Sequence, residues 1–153
     1  MLTVDDFLNS EEIKYLQDYK KPWGLQDSHS ENPYNLEFLY YSIPKYEPYF
    51  YKYLLDKITD RIGKHFPDRI YFNCQYYGQD GTIHTDGNFT TALIYVSDYH
   101  PEWGGFTQVG EEISIPKTGR MICFDGMIPH KGYCFSRQTC PPRISLAFKL
   151  TPI

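Results

Sequence analysis

The sequence predicts a mainly β fold with flanking helices, a sandwich or jelly roll in which helices from the N-terminal part buttress one sheet. Three observations lead there. The 153 residues include 15 tyrosines and 10 phenylalanines, side chains that suit a pleated, half-buried surface. Eleven prolines and eleven glycines supply many turns. The hydrophobic period also changes along the chain, helical before about residue 68 and alternating after it. The length is sufficient for one hydrophobic core. A single domain over 1–153 is therefore expected, with a helical part over about 1–68 and a β core over about 69–153.

The elements follow in order. "FLNSEEIKYLQDYKKPWG" reads as a helix capped by Asn9 or Ser10, with Glu11 and Glu12 in its first turn and Ile13 and Leu16 on its apolar edge. Lys20, Lys21 and Pro22 end it. Gln26 to Asn35 is polar and turn-rich, a surface loop. "NLEFLYYSI" suits a strand. "PYFYKYLLDKITDRIGKHF" places Tyr49, Tyr53, Ile58, Ile62 and Phe66 at helical spacing and predicts a longer second helix. "RIYFNCQYYG" then alternates Ile70, Phe72, Cys74 and Tyr76 against Tyr71, Asn73, Gln75 and Tyr77. "TTALIYVSD", "GFTQV", "EISI", "RMICFD" and "RISLAFKL" follow as short strands between Gly, Pro and Asp turns. Helices followed by many short strands point to two packed β layers with helical support.

The formal charge of −4, with no basic run, argues against gripping a phosphate backbone. No nucleic-acid partner is expected. Met1 to Leu8 carries Asp5 and Asp6 rather than a targeting segment, and no apolar run approaches transmembrane length. Cys74, Cys123, Cys134 and Cys140 form neither a CxxC pair nor a zinc spacing. They read as reduced thiols of a cytoplasmic protein without a membrane partner, with Cys134–Cys140 as an alternative bridge.

Chemistry is concentrated in a few positions. In "GTIHTDGNFT", His84 and Asp86 stand two apart, so in an extended chain they point to one side and could share a metal ion. The plain alternative is a polar turn at Asp86-Gly87. "MIPHKGYCF" places His130 at the start of a strand. Two imidazoles and a carboxylate are the ligand set that leaves one face of an octahedral Fe(II) open. "PPRISLAFKL" puts Arg143 and Ser145 on one strand face, and a buried arginine calls for an anion, which it grips as a fork. "WGGFTQV" carries a Gly-Gly corner that needs positive φ or close backbone approach. Taken singly, His130 could be a core residue, Arg143 a surface charge and the tyrosines packing aromatics. HxD…H…RxS in this order is the specific signal.

From about Val4 to Lys149 the chain resembles the 2-oxoglutarate and Fe(II)-dependent dioxygenases, above all the small prolyl 4-hydroxylase-like members of bacteria and viruses. "VDDFLNSEE", "IHTDGN", "TALIYVSDYHPEWGGFTQV", "IPKTGRMICFDGMIPHKGY" and "RISLAFKL" carry the resemblance. It implies a double-stranded β-helix with iron held by His84, Asp86 and His130. It also implies that Arg143, assisted by Ser145, pairs with the far carboxylate of 2-oxoglutarate. Tyr95 matches a tyrosine that often reaches that carboxylate. The family's tyrosine upstream of HxD corresponds to Tyr76 or Tyr77, and the alternation favours Tyr76, on the face of Ile70 and Phe72.

The implied activity consumes O₂ and 2-oxoglutarate, with ascorbate supportive, and hydroxylates a C–H bond. The substrate expected first is a prolyl residue in a peptide or protein, followed by a free amino acid or small metabolite. A nucleic-acid demethylase of the AlkB type ranks lower, because that branch carries a second arginine where this chain has Lys149. A non-enzymatic cupin-like binding module is the rival from another class. The chain also departs from the pattern, with Ser97 where the family often has asparagine. Gln138-Thr139-Cys140 stands where many prolyl hydroxylases carry a cosubstrate lysine.

Overall fold

A computed structural model describes residues 1–25 and 38–153. The polar stretch Gln26–Asn35 lies outside the described residues. The chain opens with strand β1 (Leu2–Val4) and helix α1 (Ser10–Asp18), followed by strands β2 (Gly24–Leu25) and β3 (Leu39–Ser42). A π-helical segment, Tyr49–Leu54, runs into helix α2 (Leu55–Ile62). Strands β4 (His65–Gln75), β5 (Thr90–Tyr95), β6 (Thr107–Val109), β7 (Glu112–Ser114), β8 (Met121–Asp125), β9 (His130–Gly132) and β10 (Arg143–Pro152) complete it.

The strands form two antiparallel sheets, β1-β8-β5-β10-β4-β3-β2 and β7-β6-β9. The smaller sheet gains a further rung where His84 bridges His130. This is the jelly roll expected from the sequence. Strand β1 was not expected. Three residues are too short to show a period, and its pairing with β8 is what defines it. β4 also begins four residues earlier than the alternation suggested, at His65.

Helix α1 starts as its residues dictate. The Asn9 side chain accepts from the Glu12 amide, and the Glu12 carboxylate accepts from the Asn9 amide, a reciprocal capping box. Glu12 also takes bonds from Tyr53 and Lys57, tying α1 to the second helical region. That second region differs from expectation in its buried stripe. Phe50, Leu54 and Ile58 face inward, whereas Tyr53 is exposed. Phe66 is exposed too, because Gly63, with φ of 89°, ends α2 and the chain has turned into β4.

Alternation along the central strands sorts the two faces of the large sheet. Ile70, Phe72, Ala92, Ile94, Leu146 and Phe148 face the helices and form the main core with Leu16, Phe50, Leu54 and Ile58. The opposite face looks toward the small sheet, where Tyr71, Leu93, Tyr95, Ile122, Phe124 and Ala147 pack with Val109. The site is built on this second face. All four cysteines are free, and burial pushes the Cys74 and Cys123 thiols up to about 11.

Candidate metal and anion site

The inward face of the large sheet consists of four rungs across β4, β10 and β5. Gln75 lies opposite Arg143, and Asn73 opposite Ser145, which is opposite Tyr95. Tyr71 lies opposite Ala147 and Leu93, and Arg69 opposite Lys149 and Thr91. The small sheet supplies the other wall, with Thr107 opposite Gly132 and Val109 opposite His130.

His84, Asp86 and His130 converge between these walls, with donor atoms all within 4.8 Å of one another. The His84 amide donates to the His130 carbonyl at 3.1 Å, and the His130 amide returns the bond at 2.9 Å. One backbone rung therefore sets the separation of two residues far apart in sequence. The Asp86 amide donates to the Gly126 carbonyl at 2.7 Å. A Cβ on Gly126 would lie 2.7 Å from the Phe89 carbonyl and 3.0 Å from the Asp86 Cβ, so only glycine allows that approach.

The side chains are arranged as ligands. Each histidine has Nδ1 at 2.8 Å from a carbonyl oxygen, Thr82 for His84 and Ile128 for His130. Nδ1–H donates there, which leaves the Nε2 lone pair facing inward. His130 Nε2 lies 3.1 Å from Asp86 Oδ2, and His84 Nε2 3.6 Å from Oδ1. Metal bonds of roughly 2.1 Å set neighbouring donors about 3 Å apart, so an ion fits with little movement. Thr91 Oγ1 donates to Asp86 Oδ2 at 2.7 Å, and the Lys149 ammonium bonds the same oxygen. Burial pushes the Asp86 carboxyl up, but hydrogen bonds from the His130 and His84 rings in their protonated, metal-free form and the Lys149 charge outweigh it and hold the group well below the usual carboxylate range. The Asp86 bond raises the His84 imidazole against the opposing effect of burial.

The second half of the site surrounds Arg143, which is 2% exposed. Its Nε donates to the Gly105 carbonyl at 2.8 Å, Nη1 to Gln75 Oε1 at 2.8 Å and Nη2 to Thr107 Oγ1 at 2.7 Å. Every one of these acceptors is neutral. Among the described residues no carboxylate pairs with this cation, and burial pulls its pKa down. The Gly-Gly corner does what its sequence suggested. Gly105 has φ of 76°, and a Cβ there would meet the Phe135 ring at 2.6 Å.

Tyr95 donates to Thr107 Oγ1 at 2.7 Å, and the Arg143 guanidinium stands 5.5 Å from its ring centre. Ser145 is buried one rung along. Gly132 follows His130 by two residues on the same face, about 7 Å further along the strand. A Cβ there would lie 3.4 Å from both Arg143 Nη1 and Gln75 Oε1. The missing side chain keeps room beside Arg143, on the path to the histidines. In the large-sheet wall the buried Asn73 Oδ1 has no hydrogen-bond partner among the described residues. A small anion that accepts from Arg143 suits the gap at Gly132, whereas the Asn73 Oδ1 acceptor calls for a separate donor such as a water.

One expected residue is misplaced. Tyr76 lies beyond the end of β4 and is 50% exposed, and Tyr77 is exposed as well. The face shared with Ile70 and Phe72 is the helix side, so the alternation that favoured Tyr76 pointed away from the interior. Gln75 takes the inward position instead. Its Nε2 donates to the Gln79 and Gly132 carbonyls, which turns Oε1 toward Arg143. The signal was present as the polar residues Asn73 and Gln75 on the other face of an apolar strand. Thr107, Thr91 and Lys149 also went unassigned, since only the register shows them to be inward.

Fold and site together define a jelly roll with a two-histidine, one-carboxylate cluster that could hold a metal ion, and a buried cation beyond it. More particularly, the fold is that of the 2OG-Fe(II) oxygenases. An oxidoreductase of that family from Burkholderia pseudomallei superposes with a TM-score of 0.78 over 98% of this chain and 84% of its own, at 12% identity. A prolyl-4-hydroxylase from Pseudomonas putida gives 0.76 over 99% and 92%, at 16% identity. The non-heme alpha ketoglutarate dependent epimerase SnoN from nogalamycin biosynthesis gives 0.69 over 98% and 77%, at 12% identity. Neither a family model nor a curated relative matches the sequence.

Proposed function

We propose that the chain acts as one catalytic domain over 1–153, an Fe(II)- and 2-oxoglutarate-dependent oxygenase that hydroxylates a C–H bond. The observation that carries this reading is Arg143, a buried cation among neutral acceptors, beside a gap left by Gly132. A site that only stored a metal would have no use for an anion clamp. His84, Asp86 and His130 would hold the iron, and Arg143, with Ser145 and Tyr95, the far carboxylate of 2-oxoglutarate.

When bound, iron would supply the activation of O₂, one oxygen atom of which replaces C–H by C–O–H while the other enters succinate as 2-oxoglutarate gives up two electrons and loses CO₂. The chain's own groups do the positioning. The carbonyls of Thr82 and Ile128 fix the imidazole tautomers. Thr91 and Lys149 restrain the Asp86 carboxylate. Val109, Ile122 and Phe124 keep bulk water from the inner wall.

The fold relatives include both a prolyl-4-hydroxylase and an epimerase by name, so substrate is inferred from the rim. Met127 and Ile128 are exposed in the turn that leads into His130. This apolar rim suits a carbon-rich ligand, and a prolyl residue in a peptide is the first choice. A free amino acid or small metabolite is the second. The test is succinate formation with Fe(II) and ascorbate, coupled to a mass-spectrometric screen for +16 Da products over proline peptides and free amino acids. No turnover of 2-oxoglutarate with any of them, together with no metal binding at the triad, would return the protein to the binding modules. Methylated oligonucleotides processed faster than peptides would overturn the substrate assignment.

A further inference from the structure

The rung at the metal end of the interior holds two cations. Lys149 is 5% exposed, and its ammonium rests on Asp86 and on Thr91 Oγ1. Directly opposite on β4 is Arg69, half-buried, with its guanidinium 4.5 Å from the centre of the Tyr71 ring. The Lys149 nitrogen lies 6.0 Å from the centre of the same ring. No carboxylate pairs with Arg69 among the described residues. Like charges facing each other across a sheet repel, and sharing one aromatic ring offsets only a part of this.

We infer that the substrate carries an anionic group, a carboxylate, which docks against Lys149 and Arg69 beside the metal cluster. The inference rests on the function proposed above and follows from counting charge. With both imidazoles neutral as metal ligands, the charged groups of this interior among the described residues are Asp86, Arg143 and Lys149, one negative and two positive. A divalent ion and a dianionic cosubstrate cancel each other. With both present, Asp86 is shared between the ion and Lys149, Arg143 faces the cosubstrate, and the interior keeps one surplus positive charge. Arg69 at the rim makes two. A buried unpaired charge is strongly unfavourable, and the remaining component of a productive complex is the substrate. A carboxylate there neutralises Lys149 and separates it from Arg69. A purely structural role as counter-ion of Asp86 would account for Lys149 but not for the unpaired Arg69 opposite it.

The test compares matched pairs of probes. N-acetyl-L-proline, N-acetyl-L-leucine and N-acetyl-L-tyrosine, each as free acid and as amide, are titrated into the full chain loaded anaerobically with Co(II) and 2-oxoglutarate. Ligand-observed NMR gives the dissociation constants. The cobalt spectrum and 2-oxoglutarate binding, read first, test the proposed function separately. If either component fails to bind, that reading falls. If both bind, the acids are expected to bind about tenfold or more tightly than the amides. Lys149→Met should abolish the preference, Arg69→Gln should weaken it, and Arg69→Glu should reverse it. The Arg69 variants change a half-exposed side chain outside the ligand cluster, so they remain informative if Lys149→Met does not fold. Equal or weaker binding of the acids in all three pairs overturns the inference while leaving the oxygenase reading in place.

Discussion

Replacing Arg143 by methionine is expected to separate stability from cosubstrate binding. The guanidinium is buried without a counter-ion, so its removal relieves a desolvation penalty of several kcal/mol. Against this, the Gly105 carbonyl and Gln75 Oε1 lose their arginine donor at about 1–3 kcal/mol each, whereas Thr107 Oγ1 keeps Tyr95 as a donor. The opposing effects leave folding stability within about 2 kcal/mol of the parent, which is less than about 8 °C in melting temperature for a chain of this size. Cosubstrate affinity has no such compensation. Losing a desolvated arginine–carboxylate pair costs about 2–5 kcal/mol, roughly 30-fold to several-thousand-fold in dissociation constant. Arg143→Lys should recover only part of it, because an ammonium cannot donate two parallel bonds. The assay is titration of 2-oxoglutarate against metal-loaded protein, with thermal melts of the same samples. A variant with unchanged cosubstrate affinity and a melting point lowered by 15 °C or more would show that Arg143 is structural, and the reasoning would fail.

Single substitutions His84→Ala, Asp86→Ala and His130→Ala should each lose tight metal binding by calorimetry while circular dichroism stays that of the parent. Any one that keeps full metal content is not a ligand. Gly132→Ala should leave metal binding unchanged but weaken 2-oxoglutarate by about 5- to 150-fold, since its Cβ, in van der Waals contact with Arg143 and Gln75, would occupy the gap and overpacking a bound ligand there costs roughly 1–3 kcal/mol. Unaltered affinity would show that the cosubstrate does not use this gap. Glu12→Gln should destabilise the fold by about 1–3 kcal/mol, because it weakens the bonds from Lys57 and Tyr53. Burial raises the Glu12 carboxyl, but its bonds from Asn9, Lys57 and Tyr53 prevail and hold it below its unfolded value. Its stabilisation is therefore present above the ordinary glutamate range and lost as pH falls through the folded value. The difference between parent and variant should shrink on acidification from pH 7 to below about 4, and a constant gap would contradict the assignment.

Local patterns made the strands from β3 onward, the first helix and the cluster of His84, Asp86 and His130 legible in the sequence, whereas the short β1 and β2 were not. The HxD spacing works because two residues in extended chain share a side, and the capping box of Asn9 and Glu12 is written in four consecutive letters. What escaped depends on pairing. Whether Asn73 and Gln75 or Cys74 and Tyr76 face the interior is the same alternation read from either side. Only the helices packed on Ile70 and Phe72 decide it. Lys149 looks like a surface charge near the end of an apolar strand until its register with Arg69 and Thr91 places it beside Asp86. The second helix was found, but its stripe shifted from Tyr53 to Leu54 because the π-helical first turns change the angular step between residues.

The reciprocal backbone bonds between His84 and His130 make the spacing of the two imidazoles a property of sheet pairing rather than of loop shape. Both residues hang from a single rung, so the segments that precede and follow them can lengthen, shorten or change composition without altering the distance between the two imidazoles. Asp86 alone is carried on irregular backbone, clamped at Gly126. Such a cluster tolerates wholesale replacement of the surrounding surface: the geometry offered to an ion is inherited from the ladder, and the composition of the mouth is free to vary independently.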